Sequence, residues 1–402
     1  MSSADYLSTR MASFGESPSS QAVTRLIQAR RAGADIISLL VGEPDFDTPE
    51  HIRQAGCRAI EAGHTRYTQT SGIIALREAI CRKLQRDNGL RCDPSRVIVT
   101  TGGKQAIFHA FMATLNAGDE VIIPAPYWVS YPEMVRLFGG TPVIVPGEPN
   151  RLLKPKPEAL SAAITPRTKW LVLNFPANPS GANLSREDVG AIVRILEEHP
   201  QVLLMTDEVY EHIVFEGGMA VHPLAMAPHL ADRVLVVNSL SKTYAMTGWR
   251  VGFAAGPSLL INAMTALQSQ STSNTCSIAQ QAAIAALDGP QDFIDDWRLE
   301  YEARWRLLIR KLDGIAGLRC IAPEGAFYVY MDCSSLLCRR RPNGSRLATD
   351  GDVARFLFEH GVALIEGSAF GMSPYLRASV ATSVTNIDLA CDRITLALSL
   401  LL

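Results

Sequence analysis

Between about residue 49 and residue 295 of this 402-residue chain, short apolar runs alternate with longer stretches of helical periodicity. No other feature narrows the fold as far. The candidate strands are Val97–Thr100, Glu120–Ile123, Pro142–Val145, Lys169–Asn174, Gln201–Thr206, Arg233–Val237 and Val251–Ala255. Helical patterns at Lys104–Leu115, Tyr131–Phe138 and Ser185–Glu197 lie between them, the last opened by the N-cap signal Ser185 followed by Asp188. Continuous apolar runs mark strands buried on both faces, and the intervening helices supply the crossovers that parallel strands need. The expectation is an α/β fold with a mostly parallel central sheet and helices on both faces.

After Pro290 the pattern changes. Phe293–Leu312 reads as one long connecting helix. Strands follow near Ala326–Met331, Val362–Ile365 and Tyr375–Ser379, and a closing helix starts from Ile387, which describes a smaller α+β domain. The first 48 residues hold one helix, Ser20–Arg31, and the strand-like IISLLV, and they are expected to pack with the C-terminal part. The predicted organisation is a large domain of residues 49–295 and a small domain of residues 1–48 and 296–402.

Charge and cysteine usage exclude several classes. Lys plus Arg is 38 and Asp plus Glu is 40, so no excess draws the chain to nucleic acid or anionic lipid. Arg339, Arg340, Arg341 and Arg346 form a basic run without interleaved aromatics, which reads as a solvated loop. The eight cysteines contain no C-x-x-C pair and the eight histidines no H-x-x-x-H, so neither a metal centre nor a disulfide framework is indicated. No apolar run reaches the ~18 residues of a membrane span. The N-terminal MSSADYLSTRMASFGESPSS lacks the apolar segment of a secretory leader. The expected setting is the cytoplasm, with no nucleic-acid or membrane partner.

In an open parallel sheet, ligands sit beyond the carboxyl ends of the strands. Here those ends read TTGGKQA, PAPYW, NFPANPSG, TDEVY and NSLSKTYAMTGWRVG. Lys242 follows an apolar strand, where desolvation would lower its pKa and free its amine to condense with an aldehyde. Arg250, flanked by Gly248 and Gly252, offers a bidentate fork to phosphate, and Ser239 and Ser241 add hydroxyls. An imine-forming lysine beside a phosphate clamp fits pyridoxal 5'-phosphate. Its pyridine nitrogen needs a carboxylate, and Asp207 ends a strand. Adjacent strand residues face opposite ways, so Asp207 and Glu208 cannot both serve. Tyr210 and Asn178 can donate to the ring oxygen, although Asn178 also reads as a plain turn residue. Gly102 and Gly103 let the backbone approach a phosphate at a helix N-terminus. Neither a P-loop nor G-x-G-x-x-G is present, which disfavours a nucleotide-dependent dehydrogenase. Trp128 can lie on an aromatic ring or pack in the core.

Together, N-x-P-x-N-P-x-G, D-E-x-Y and S-x-S-K-x-x-x-x-x-G-W-R-x-G, in this order, resemble the fold-type I pyridoxal-phosphate-dependent aminotransferases of class I/II, in the branch holding bacterial aspartate aminotransferases. The likeness runs from Val41 to Ser383. It implies that Lys242 carries the cofactor and shuttles the substrate proton, that Asp207 pairs with the ring nitrogen, and that Asn178 and Tyr210 bind the ring oxygen. Trp128 would stack on the ring, and Arg250, Ser239, Ser241 and the Gly103–Lys104 backbone would hold the phosphate. Tyr67 would reach the phosphate of a neighbouring subunit, which implies a homodimer with shared active sites. Arg377 and Gly42 would take the substrate α-carboxylate, with a structural ion pair as the competing reading for Arg377. Lys104 would read a distal carboxylate or else point to solvent; Asn178 and Trp128 would also touch substrate. Two departures matter. ALQSQSTSNTCSIAQ holds no arginine for a distal carboxylate, and no arginine aligns in SFGESPSSQA. The expected reaction is amino transfer between aspartate or glutamate and a 2-oxo acid such as 2-oxoglutarate. Alternatives are an aminotransferase for aromatic or other neutral amino acids, a β-lyase on the same fold, and a non-enzymatic effector-sensing regulator. The regulator is disfavoured because no helix-turn-helix precedes VGEPD.

Overall fold

The computed structural model describes residues 7, 8, 10, 11, 15, 18–215 and 221–402. Much of the stretch read for a leader and for an aligned arginine therefore lies outside the described residues.

The strands are β1 (Ile37–Ser38), β2 (Val97–Thr100), β3 (Glu120–Ala125), β4 (Thr141–Pro146), β5 (Thr168–Asn174), β6 (Leu203–Asp207), β7 (Val234–Ser239), β8 (Gly252–Ala255), β9 (Arg319–Ile321), β10 (Tyr328–Asp332), β11 (Val362–Ala363), β12 (Ile365–Glu366) and β13 (Tyr375–Ser379). Seven form the large sheet in the order β2-β8-β7-β6-β5-β3-β4. Only β8 runs antiparallel, against both β2 and β7. Successive residues of one strand feed opposite cores. Val97, Val99, Leu171 and Val236 pack on one face, while Ile98, Val121, Val172 and Val237 pack on the other. This is the two-sided burial implied by the apolar runs. The helices Lys104–Leu115 and Ser185–Glu197 read from sequence appear as Gly103–Thr114 and Arg186–Glu198. Ser185 and Asp188 close a reciprocal capping box on the second.

The connecting helix spans Phe293–Leu312 as expected. Beyond it, β12-β13-β10-β9 make an antiparallel sheet. Among the boundaries that differ from the sequence reading, three in this part have a visible cause. Val362–Ile365 is not one strand, because β11 pairs with β1 and β12 pairs with β13. Ala326 stays outside β10 because its backbone is left-handed, at φ 58°. The closing helix starts at Val384 rather than Ile387, where the Ser383 hydroxyl accepts from the Asn386 N–H. The parallel β1–β11 pairing, Ile37 opposite Val362, ties the N-terminal segment to the C-terminal part.

The arginine loop folds back on itself through an Arg340–Arg346 bridge, and Arg341 pairs with Glu359. All eight cysteines are free. Among the described residues there is no metal-binding cluster and no helix long and apolar enough to cross a membrane.

Candidate active site

The carboxyl ends of the parallel strands open into a cavity of about 320 Å³, within the range of small-ligand sites. Every residue the sequence proposed for the site lines it except Gly102, which abuts Arg250, and Tyr67, which stands on the surface at 91% exposure. That placement is compatible with a contact to a second subunit and gives Tyr67 no role within its own chain's cavity.

Lys242 lies in the single helical turn Leu240–Thr243 that follows β7. Its amine donates to the Gly42 carbonyl. Burial lowers its pKa to about 8; the Glu43 carboxylate opposes this, and the Arg250 and Arg377 charges add to it. The desolvation expected from the sequence is therefore present.

Asp207 closes β6 and accepts a 2.6 Å hydrogen bond from the Tyr131 hydroxyl. Burial raises its pKa to about 6, and the Tyr131 hydrogen bond works against the rise. Glu208 turns to the other side and pairs with His222 at 2.8 Å. Strand alternation separates the two acids as expected.

Arg377, in β13, is buried at 4% exposure. It donates to the Asn178 Oδ1 at 2.8 Å and to the Leu40 carbonyl at 2.6 Å. Tyr328 and Phe370 present their rings to its guanidinium at 4.4 and 4.9 Å. No carboxylate pairs with it among the described residues, so the ion-pair reading has no acid to support it. Its Nε is a buried donor without a partner. A buried guanidinium left in this state calls for an anion. By accepting from Arg377, Asn178 is oriented with its NH₂ free to donate elsewhere.

The same cavity also collects anion donors. The Ser239 and Ser241 hydroxyls are 2.7 Å apart. The helix Gly103–Thr114 opens there, and its first N–H groups have no intrahelical acceptor. Gly102 has φ +80°, and a Cβ on it would meet the Arg250 Nη2 at 2.5 Å. A Cβ on Gly252 would come within 2.4 Å of the Gly103 nitrogen. Both positions need glycine so that guanidinium, helix start and strand can converge. Anion donors, a buried carboxylate and an amine lining one cavity suit a phosphorylated pyridine aldehyde.

Lys104 remains exposed, with its amine 4.9 Å over the Trp128 ring at the cavity wall. Trp128 in turn meets Tyr131 edge to face at 5.2 Å. Trp128 is thus neither a plain core residue nor free of packing.

Residues 34–394 match the family model for aminotransferase class I and II. The chain belongs to this family. It is 49% identical over 390 residues to the aspartate/prephenate aminotransferase of Cereibacter sphaeroides, spanning 97% of this chain and 98% of that one. It is 46% identical to an aspartate aminotransferase of Rhizobium meliloti, over 97% and 95% of the two chains. The crystal structure of the Rhizobium meliloti aspartate aminotransferase superposes with a TM-score of 0.96 at 45% identity, over 98% and 99% of the chains. The Thermus thermophilus aspartate aminotransferase with maleate gives 0.91 at 42%, over 97% and 99%. The chain is an aminotransferase with the fold type I architecture that the motifs implied.

Several residues of this aminotransferase that line the cavity or hold its lining escaped sequence reasoning. Asn174 ends β5, donates to the Asp207 carbonyl at 3.0 Å and accepts from the Asn178 N–H at 3.0 Å. A polar residue at the carboxyl end of an apolar strand was the available signal. The Tyr328 hydroxyl bonds the Tyr210 hydroxyl at 2.7 Å, and Tyr131 holds Asp207. Both tyrosines sit in runs that read as packing.

The raised Asp207 pKa carries a stability prediction. In the unfolded chain the carboxyl titrates near 3.8, and in the folded cofactor-free protein near 6. Between these values the folded state binds the proton more, so stability falls as pH rises through the window, and the cost is full above it. Asp207→Asn in the cofactor-free protein should therefore be more stable than the parent at neutral pH, by about 1–3 kcal/mol. The difference should shrink toward pH 4. Urea unfolding at several pH values checks this, and a variant less stable at neutral pH would contradict it.

Proposed function

We propose that this aminotransferase works with pyridoxal 5'-phosphate and moves the amino group of L-aspartate or L-glutamate to a 2-oxo acid such as 2-oxoglutarate. The observation that carries the proposal is a buried arginine without an acidic partner among the described residues, facing the same cavity as a half-buried lysine whose amine has a pKa of about 8. Bound there, the cofactor supplies an aldehyde for the amine and a protonated ring that draws electrons from the substrate Cα.

The chain's own groups divide the rest of the work. Lys242 holds the cofactor until substrate arrives, then takes the Cα proton and returns it on the cofactor side. Asp207, kept in line by Tyr131, holds the proton on the ring nitrogen. Asn178 and Tyr210 donate to the ring oxygen, and Trp128 covers the ring. Ser239, Ser241, Arg250 and the N–H groups of Gly103 and Lys104 hold the phosphate. Arg377 grips the α-carboxylate with the fork that Asn178 and the Leu40 carbonyl orient, beside the Gly42 backbone. Lys104 reads the distal carboxylate from above Trp128. The maleate held by the Thermus enzyme is a dicarboxylate, which supports the acidic substrate class. Val23 and Ile107 add apolar lining to the cavity. This favours a second reading, an acidic substrate with a bulky apolar body, in keeping with the name of the Cereibacter relative. The working unit is a cytoplasmic homodimer in which Tyr67 completes the partner's phosphate site. Residues 49–295 carry the cofactor, and residues 1–48 with 296–402 complete the substrate side.

Mixing the cofactor-loaded protein with L-aspartate or L-glutamate alone tests the reading. The cofactor absorbance should convert to the aminated form once per site, and 2-oxoglutarate should restore it. Steady release of ammonia and pyruvate from a cysteine conjugate, without that conversion, would favour a lyase instead.

A further inference from the structure

The turn that presents Arg250 is strained at both ends. Ala245 and Arg250 have left-handed backbones, at φ 49° and 56°, conformations that residues with a Cβ adopt at a cost. The turn also sets where the guanidinium lies, because the Arg250 Nη1 donates to the Thr247 carbonyl of the same turn at 2.8 Å. Something outside the turn must hold this shape. Thr48, 197 residues away, donates its hydroxyl to the Ala245 carbonyl at 2.6 Å. The same oxygen accepts the Trp249 indole N–H at 3.1 Å. One hydroxyl therefore pins the first strained residue and the residue just before the second. Glu43, from the same segment, accepts from the Thr247 hydroxyl at 2.9 Å. Gly42, at the head of the segment, receives the Lys242 amine.

We propose that Thr48 is a positioning residue for the phosphate clamp: its hydroxyl locks the turn 245–250 in the shape that aims Arg250 at the cofactor phosphate. The proposal rests on the cofactor reading above. Through Thr48, the segment that meets the substrate side at Gly42 also governs the grip on the cofactor.

The test compares pyridoxal 5'-phosphate with pyridoxal, which has the same aldehyde and no phosphate, as titrants of the cofactor-free protein. Thr48→Val removes both hydrogen bonds at nearly constant side-chain size. It should weaken pyridoxal 5'-phosphate binding about tenfold and leave pyridoxal binding unchanged. Thr48→Ser, which keeps the hydroxyl, should restore affinity to within about twofold of the parent. An unchanged pyridoxal 5'-phosphate affinity in Thr48→Val overturns the proposal. So does an equal loss for both titrants, because a general loosening of the fold would not single out the phosphate end. If Thr48→Val does not fold, Trp249→Phe removes the indole donor alone. It should cost about threefold for the phosphorylated titrant only, and no loss there overturns the proposal. A parent protein that binds neither titrant would instead overturn the cofactor reading.

Discussion

Lys242→Ala should abolish turnover to within a small residue, with kcat for aspartate and 2-oxoglutarate falling by at least ~10³-fold, since positioned proton transfer alone is typically worth ~10²–10⁴. The expectation follows from where the amine sits. It is buried, its pKa is drawn down to about 8, and it is held toward the substrate side by the Gly42 carbonyl. An ordinary lysine at neutral pH would have almost no neutral amine, whereas this one has an appreciable fraction. Lowering the pH through about 8 protonates it, so capture of the cofactor by the empty protein should slow on the acid side of that value. Lys104 cannot substitute, because its amine rests over Trp128 at the outer wall. Borohydride reduction of the cofactor-loaded parent should tag the peptide holding Lys242, and the tag should vanish in the variant. Near-normal turnover, or a tag on another lysine, would sink the assignment.

The large sheet was legible because burial on both faces leaves its mark on every position of a strand. Val97–Thr100 appears with the bounds read from sequence, and the other six strands of that sheet appear within three residues of theirs. The direction of β8 was not legible, since an apolar run looks the same from either end. Its antiparallel course shows only in its pairing with both neighbours, β2 and β7. The split of Val362–Ile365 between two sheets was hidden for a similar reason. Each half finds its own partner, and nothing local in VALI says so.

The site shows the same division. Asp207 ends an apolar strand, and Lys242, Asn178 and Arg250 follow such strands in short polar segments, so each breaks a run that packing alone would continue. Tyr328 and Tyr131 belong to the site through hydroxyls at the ends of otherwise buried rings. Alternation and helical period report the ring, which packs, and are silent about the hydroxyl, which binds. Thr48 was hidden more deeply, because its partners lie about 200 residues away and only the fold brings them together.

Arg377→Ala should separate substrate binding from cofactor binding. The guanidinium is buried, flanked by two aromatic rings and oriented by Asn178 and the Leu40 carbonyl, with no acid among the described residues to neutralise it. An uncompensated buried cation costs stability, and burial already lowers the Arg377 pKa. On the proposed function the substrate carboxylate is the charge that offsets that cost, which would make the contact desolvated and strong. Removing one partner of such a pair costs about 2–5 kcal/mol, which corresponds to a fall in kcat/KM of roughly 30- to 4,000-fold for aspartate and glutamate. The loss should fall mainly on KM, because the α-carboxylate is held both before and during proton transfer. Affinity for pyridoxal 5'-phosphate should stay close to that of the parent, since Arg377 hydrogen-bonds Asn178 and the Leu40 carbonyl and neither Asp207 nor the proposed phosphate donors. Arg377→Lys should recover only part of the loss, because an ammonium offers a point charge and not a planar fork. Cofactor titration and substrate kinetics on the two variants decide the matter. Loss of the cofactor with unchanged substrate affinity would show that Arg377 supports the ring end and not the carboxylate. Full activity in Arg377→Lys would show that charge without geometry is enough.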